Sequence, residues 1–130
     1  MKKKILIVAA NYYKNISAKM FHEAKIVLNK NNIKYKLLNV PGVFEIPVVI
    51  SKNIKKYDAF IALGCVIKGE TPHFDFISSA TTQAIMNLSV EKKKPIGNAI
   101  ITCLNKKQAE ARSKKGKEAV IAVISVLKIL

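Results

Sequence analysis

Between Gly64 and Asp75 the chain gathers Cys65, Lys68, Glu70, Thr71, His73 and Asp75 into one short segment. An imidazole exchanges protons near neutral pH, so His73 is the natural proton carrier of this set. Gly69 and Thr71 precede a helix start, where backbone N–H groups without intrahelical partners favour an anion, and Lys68 adds positive charge. A plainer reading also fits, in which Thr71 and Asp75 cap the helix and His73 is solvated; spacing alone leaves both open. Further back, Phe44 and Glu45 follow a Pro41-Gly42 turn. An aromatic beside a carboxylate suits a planar heterocycle, which stacks on the ring and donates its N–H groups to the carboxylate. Tyr12 and Tyr13 lie just past the first apolar run, where either could stack on a flat ligand or pack within its loop. His22, inside a helical pattern, reads as a surface or edge histidine without a role.

The elements that position these residues follow from apolar patterning. Lys4 to Ala10 and Ala59 to Ile67 are continuous apolar runs, which mark strands covered on both faces. Ile33 to Val40 and Ile96 to Thr102 supply two further strands. Helical patterns lie between them. One opens at Ser17, a suitable N-cap, and ends at the Asn29 to Asn32 break. Others cover Phe44 to Ile54, with β-branched Ile46, Val48, Val49 and Ile50 against it, and Asp75 to Leu88. Asn105 caps a short helix through Arg112, and Lys114 to Leu130 forms the last. Strands alternating with helices, joined by right-handed crossovers, predict an α/β three-layer αβα sandwich. Its sheet is expected to be flavodoxin-like, parallel and four-stranded in the order 2-1-3-4, with residues 1–130 as a single domain. Ligands in such sheets bind beyond the carboxyl ends of the strands. Asn11 to Ser17, Val40 to Pro47, Cys65 to Asp75 and Thr102 to Asn105 all lie there.

Composition narrows the function classes. The longest apolar run falls short of the roughly 18–20 residues of a membrane span, and no small-residue cleavage pattern follows Ala10. The expected location is the cytoplasm, with no membrane partner. Cys65 and Cys103 stand far apart at the ends of apolar runs and read as buried free thiols; no CxxC pair or His/Cys cluster points to a metal. The net charge of +15 is almost all lysine, with Arg112 as the single arginine. Base readers rely on arginine's bidentate fork, so a solvated lysine-rich surface is favoured over nucleic-acid binding. The lone Arg112 stands out against that background.

Two long segments resemble one family. Val40-Pro41-Gly42-Val43-Phe44-Glu45-Ile46-Pro47 is similar to the VPGxFEIP segment of lumazine synthases (6,7-dimethyl-8-ribityllumazine synthases). Ala62 through Asp75, ALGCVIKGETPHFD, is similar to their LGxVIxGxTxHxD segment. Pro95 to Thr102 and Gln108 to Arg112 resemble their later segments, so the likeness covers nearly the whole chain. The resemblance implies condensation of 5-amino-6-(D-ribitylamino)uracil with 3,4-dihydroxy-2-butanone 4-phosphate, the penultimate step of riboflavin synthesis. It implies no metal and no organic cofactor. His73 matches the proton-transfer histidine, and Glu70, Thr71 and Arg112 match positions that hold the phosphorylated ketone. Tyr12 takes the place of the aromatic that stacks on the pyrimidine. Val43, Phe44, Glu45, Cys65, Val66 and Ile67 match pyrimidine and ribityl contacts, and Asn98 stands where phenylalanine is common.

The resemblance also implies a homopentamer or a multiple of one, with sites between subunits, Asn98 and Arg112 reaching the site from the neighbour, and riboflavin synthase as a candidate partner. Asn11-Tyr12-Tyr13 replaces a common Arg-Phe-Asn, keeping the ring and changing its flanks. The stretch after Arg112 is shorter than usual, which leaves Lys115 without an assigned role. The chain starts at its first strand, without the extension that reaches a neighbour's sheet in many relatives, so a pentamer or a pair of pentamers is expected rather than a capsid. Rival readings are a lumazine or flavin carrier of the same fold without catalysis and an archaeal-type riboflavin synthase. His73 counts against both, Arg112 also against the first, and Phe44 to Pro47 against the second.

Overall fold

The computed structural model describes residues 3–69 and 72–130. Strands β1 (Lys4–Ala10), β2 (Lys34–Val40), β3 (Ala59–Ile67) and β4 (Ile96–Cys103) form one parallel sheet in the order β2-β1-β3-β4. Helices α1 (Lys14–Lys30), α2 (Ile46–Lys52), α3 (His73–Lys92), α4 (Lys106–Ala111) and α5 (Lys115–Ile129) make the connections and the last element. This is the expected three-layer α/β sandwich and strand order.

The central strands explain the layers. Side chains of β1 and β3 alternate between two apolar cores. Ile5, Ile7, Ile61 and Leu63 pack on one face with Met20, Leu28, Val120 and Val123 of α1 and α5. Leu6, Val8, Phe60 and Ala62 pack on the other with Ile46, Ile50 and Ile85 of α2 and α3. Fully burying each of the Ile, Leu, Val, Met and Phe side chains among them stabilises the fold by about 1.5–3 kcal/mol. The edge strand β4 departs from the two-faced burial of its neighbours. Gly97, Ala99, Ile101 and Cys103 are buried, while Asn98 and Thr102 on the opposite face are exposed. On that face the second core takes up only Ile96 and Ile100, half-buried.

Three helix starts differ from expectation by two residues or more. α2 opens at Ile46, after a 3-10 turn at Val43–Glu45, rather than at Phe44, and ends at Lys52. α1 opens at Lys14 rather than Ser17, with Tyr13 at the N-cap position. Ile16 and Met20, four residues apart, are both buried and draw the first turn onto the core. Ser17 is therefore buried inside the helix, its N–H donating to the Tyr13 carbonyl at 3.0 Å. α3 begins at His73, directly after Pro72, and runs past Leu88 until Lys93 turns left-handed at φ 56°. Asn105 caps α4 as expected, its side-chain oxygen accepting the Gln108 N–H at 2.9 Å.

Candidate active site

The carboxyl ends of β1, β2 and β3 and the first turns of α3 enclose a cavity of about 700 Å³. Four chain segments build it. Tyr12 and Tyr13 come from the turn after β1. Gly42, Val43, Phe44 and Glu45 come from the turn after β2. Cys65, Val66 and Ile67 end β3. His73, Phe76, Ile77 and Ala80 come from α3.

Each segment is held by its own contacts. The Asn11 N–H donates to the Val40 carbonyl at 3.0 Å, tying the end of β1 to the end of β2. A single 3-10 turn, Val43–Glu45, follows β2. Oε1 of Glu45 accepts the Gly42 N–H at 2.9 Å, so the carboxylate closes its own turn and is fixed in orientation. Phe44 is 61% exposed, leaving a ring face open to the cavity. Beneath it, Gly64 admits Val43 against β3. The Lys68 N–H donates to the Cys103 carbonyl at 2.9 Å, anchoring the exit of β3.

Electrostatics set the state of two groups in the wall. Burial, reinforced by the neighbouring Cys103 thiol through its charge and a hydrogen bond, pushes Cys65 up to about 12. Both cysteines are free and buried. Cys65 is thus a neutral, apolar part of the wall rather than a nucleophile. Burial also raises Tyr13, with smaller contributions from Tyr12 and Cys65, so its hydroxyl stays protonated. His73 is an exposed side chain on the first residue of α3, facing the cavity.

Eight residues expected from the sequence meet in this one cavity: Tyr12, Val43, Phe44, Glu45, Cys65, Val66, Ile67 and His73. Glu70 and Thr71 lie outside the described residues. Asn98 lines a separate cleft of about 280 Å³ between β4, the end of α3 and α5. Arg112 lines another, of about 460 Å³, with Thr102, Lys114 and Lys115. There its Nη1 donates to the Thr102 carbonyl at 3.0 Å and approaches the Cys103 sulfur at 3.8 Å. Within one chain, then, neither Asn98 nor Arg112 lines the His73 cavity.

Sequence reading missed Phe76, Ile77 and Ala80 as wall residues. They stand three, four and seven residues after His73, the period of one helix face, so that period counted from His73 would have found them. Nothing in the pattern separated Tyr13 from Tyr12. Among the described residues, no group of three or more His, Cys, Asp or Glu is placed to hold a metal ion, and no helix is long and apolar enough to cross a membrane.

A family model described as 6,7-dimethyl-8-ribityllumazine synthase matches residues 2–130. A 6,7-dimethyl-8-ribityllumazine synthase of Bartonella bacilliformis is 42% identical over 118 residues, covering 88% of this chain and 78% of its own. The protein named 6,7-dimethyl-8-ribityllumazine synthase 1 of Rhodopseudomonas palustris is 40% identical over an alignment of 138 residues, covering 97% of this chain and 85% of its own. A third relative of that name, from Agrobacterium fabrum, is 39% identical over 118 residues, covering 85% and 80%.

Proposed function

The chain belongs to the 6,7-dimethyl-8-ribityllumazine synthase family, and from that premise we propose how this domain, residues 1–130, carries out the reaction. It is a transferase that condenses 5-amino-6-(D-ribitylamino)uracil with 3,4-dihydroxy-2-butanone 4-phosphate to 6,7-dimethyl-8-ribityllumazine. The observation that carries the assignment of roles is the meeting of Tyr12, Phe44, Glu45 and His73, from three separate crossovers, in one cavity.

The pyrimidine stacks on Tyr12 and lies along the Val43 to Glu45 turn and the end of β3 at Cys65 to Ile67. Glu45 uses one oxygen on Gly42, which leaves the other to accept a ligand N–H or hydroxyl. The ketone phosphate binds at the start of α3, where Glu70 and Thr71 precede the helix and its N–H groups favour an anion. The pyrimidine amine adds to the ketone and water leaves to give an imine. Loss of the proton on C3 of the butanone then expels phosphate from C4. The resulting enol tautomerises to a carbonyl at C3 beside a new methyl group. The ribityl nitrogen closes the ring on that carbonyl, and a further water is lost. Each stage moves a proton, and the His73 imidazole carries it. The residues do this without metal or organic cofactor.

The site is shared between subunits. Arg112 and Asn98 line clefts apart from the His73 cavity of their own chain, which fits their serving a neighbour's cavity in a homopentamer or a pair of pentamers. The Arg112 fork then grips the phosphate in a way lysine does not reproduce. The protein works in the cytoplasm and passes its product to riboflavin synthase.

The test mixes the purified protein with both substrates and follows the lumazine chromophore beside a His73→Ala control. Product above the uncatalysed rate, reduced in the control, supports the reading. A folded oligomer that binds the pyrimidine without accelerating product formation makes the protein a carrier instead.

A further inference from the structure

Tyr12 is 74% exposed, yet a stacking platform must present one face to its ligand. An exposed tyrosine samples several rotamers, and fixing it on binding costs affinity. The neighbouring residue removes that freedom. The Tyr13 ring stands edge-on to the Tyr12 ring, with centroids 4.9 Å apart and planes at 77°, the favoured geometry of an aromatic pair. Tyr13 is itself held from several sides. Its ring packs against the core shared by α1, α5 and the sheet. Its carbonyl accepts the Ser17 N–H at 3.0 Å, and its backbone forms the N-cap position of α1. One residue before Tyr12, Asn11 is tied to Val40 at 3.0 Å. The tyrosine pair thus sits between two backbone anchors, with the half-buried inner ring packed against the core at the cavity wall and the exposed outer ring over the cavity.

We infer that Tyr13 is a positioning residue for the pyrimidine: it transmits the rigidity of the core to Tyr12 and holds that ring across the cavity mouth before substrate arrives. This rests on the proposed stacking role of Tyr12. The ring is the operative part of Tyr13, and its hydroxyl is not.

A double-mutant cycle on the whole protein tests this, with the pyrimidine as the varied substrate. Tyr12→Ala is expected to raise the KM for the pyrimidine about three- to tenfold. Tyr13→Leu is expected to raise it by a comparable factor, leaving kcat and the KM for the butanone phosphate unchanged, and Tyr13→Phe should behave as the parent. The double variant should be no worse than Tyr12→Ala alone. Additive effects, or a Tyr13→Phe defect equal to that of Tyr13→Leu, would overturn the inference, because Tyr13 would then touch the ligand itself or act through its hydroxyl. No effect of Tyr12→Ala would instead overturn the stacking role on which the inference depends. A second readout stays informative even if Tyr13→Leu lowers stability. The chain has no tryptophan, so Tyr12→Trp introduces a sole indole reporter. Its fluorescence anisotropy decay without ligand should show restricted motion beside Tyr13 and beside Tyr13→Phe, and free motion when Tyr13→Leu is added or, should that pair unfold, Tyr13→Val. Equal mobility in all of them would reject the positioning role.

Discussion

Val43 reaches the β3 backbone only because residue 64 is glycine: a Cβ there would lie 2.5 Å from Val43 Cγ1 and 3.3 Å from the Ala10 Cβ. The contact seats the Val43–Glu45 turn on the sheet, and with it the Phe44 ring and the Glu45 carboxylate. A packing detail of β3 therefore sets the position of a cavity wall formed by another crossover.

Gly64→Ala should consequently act on both stability and binding. Both atoms that the new methyl meets belong to packed side chains, so the turn must lift. The expected loss of stability is about 1–3 kcal/mol, the usual cost of overfilling a core, read by urea denaturation. The KM for the pyrimidine should rise while the KM for the butanone phosphate holds. A variant as stable as the parent with unchanged kinetics would show that the turn does not depend on this contact.

His73→Ala should slow turnover about 100-fold or more, the usual contribution of a positioned proton carrier, with a much smaller change in pyrimidine affinity. Steady-state kinetics and equilibrium titration with the pyrimidine separate the two effects. Unchanged turnover would remove His73 from the mechanism.

Arg112→Ala should mainly raise the KM for the phosphorylated ketone, and Arg112→Lys should restore it only in part, because the fork is lost while the charge remains. If the site is shared, mixing Arg112→Ala subunits with His73→Ala subunits after dissociation should recover activity neither has alone. No recovery in verified mixed oligomers, or a defect confined to the pyrimidine, would reject the assignment.

Cys65 should resist alkylation. With its pKa moved from 9.0 to about 12, the folded protein holds about a thousandfold less thiolate at this position at pH 8 than an ordinary thiol would. Peptide mapping after iodoacetamide should find Cys65 unmodified in the native state and modified in denaturant. The same shift carries a sign for stability. A group held protonated by the fold contributes fully below about pH 9, and that contribution is lost as pH rises toward 12. Rapid native labelling at pH 8 would contradict the burial of this side chain.

Much of this protein was determined by local sequence. Lys4–Ala10 and Ala59–Ile67 announced the two central strands because a strand buried on both faces admits almost only apolar residues. Asn105 announced its helix because a capping side chain acts within three residues. The family segments around Glu45 and His73 were likewise contiguous. The start of α1 was not legible: whether Ser17 caps a helix or lies inside one depends on Ile16 and Met20 finding the core, which no local pattern states. Nor did position along the chain separate Tyr12 from Tyr13; only the family resemblance singled out Tyr12. Both line the cavity, and they differ because the Tyr13 ring also packs against the core whereas the Tyr12 ring stands exposed. The site itself belongs to tertiary structure. Parallel strand order brings the ends of β1, β2 and β3 side by side and sends Asn98 and Arg112 to clefts of their own. Apolar periodicity records how far each element is buried along its length, whereas a cavity depends on how separate crossovers pack against one another.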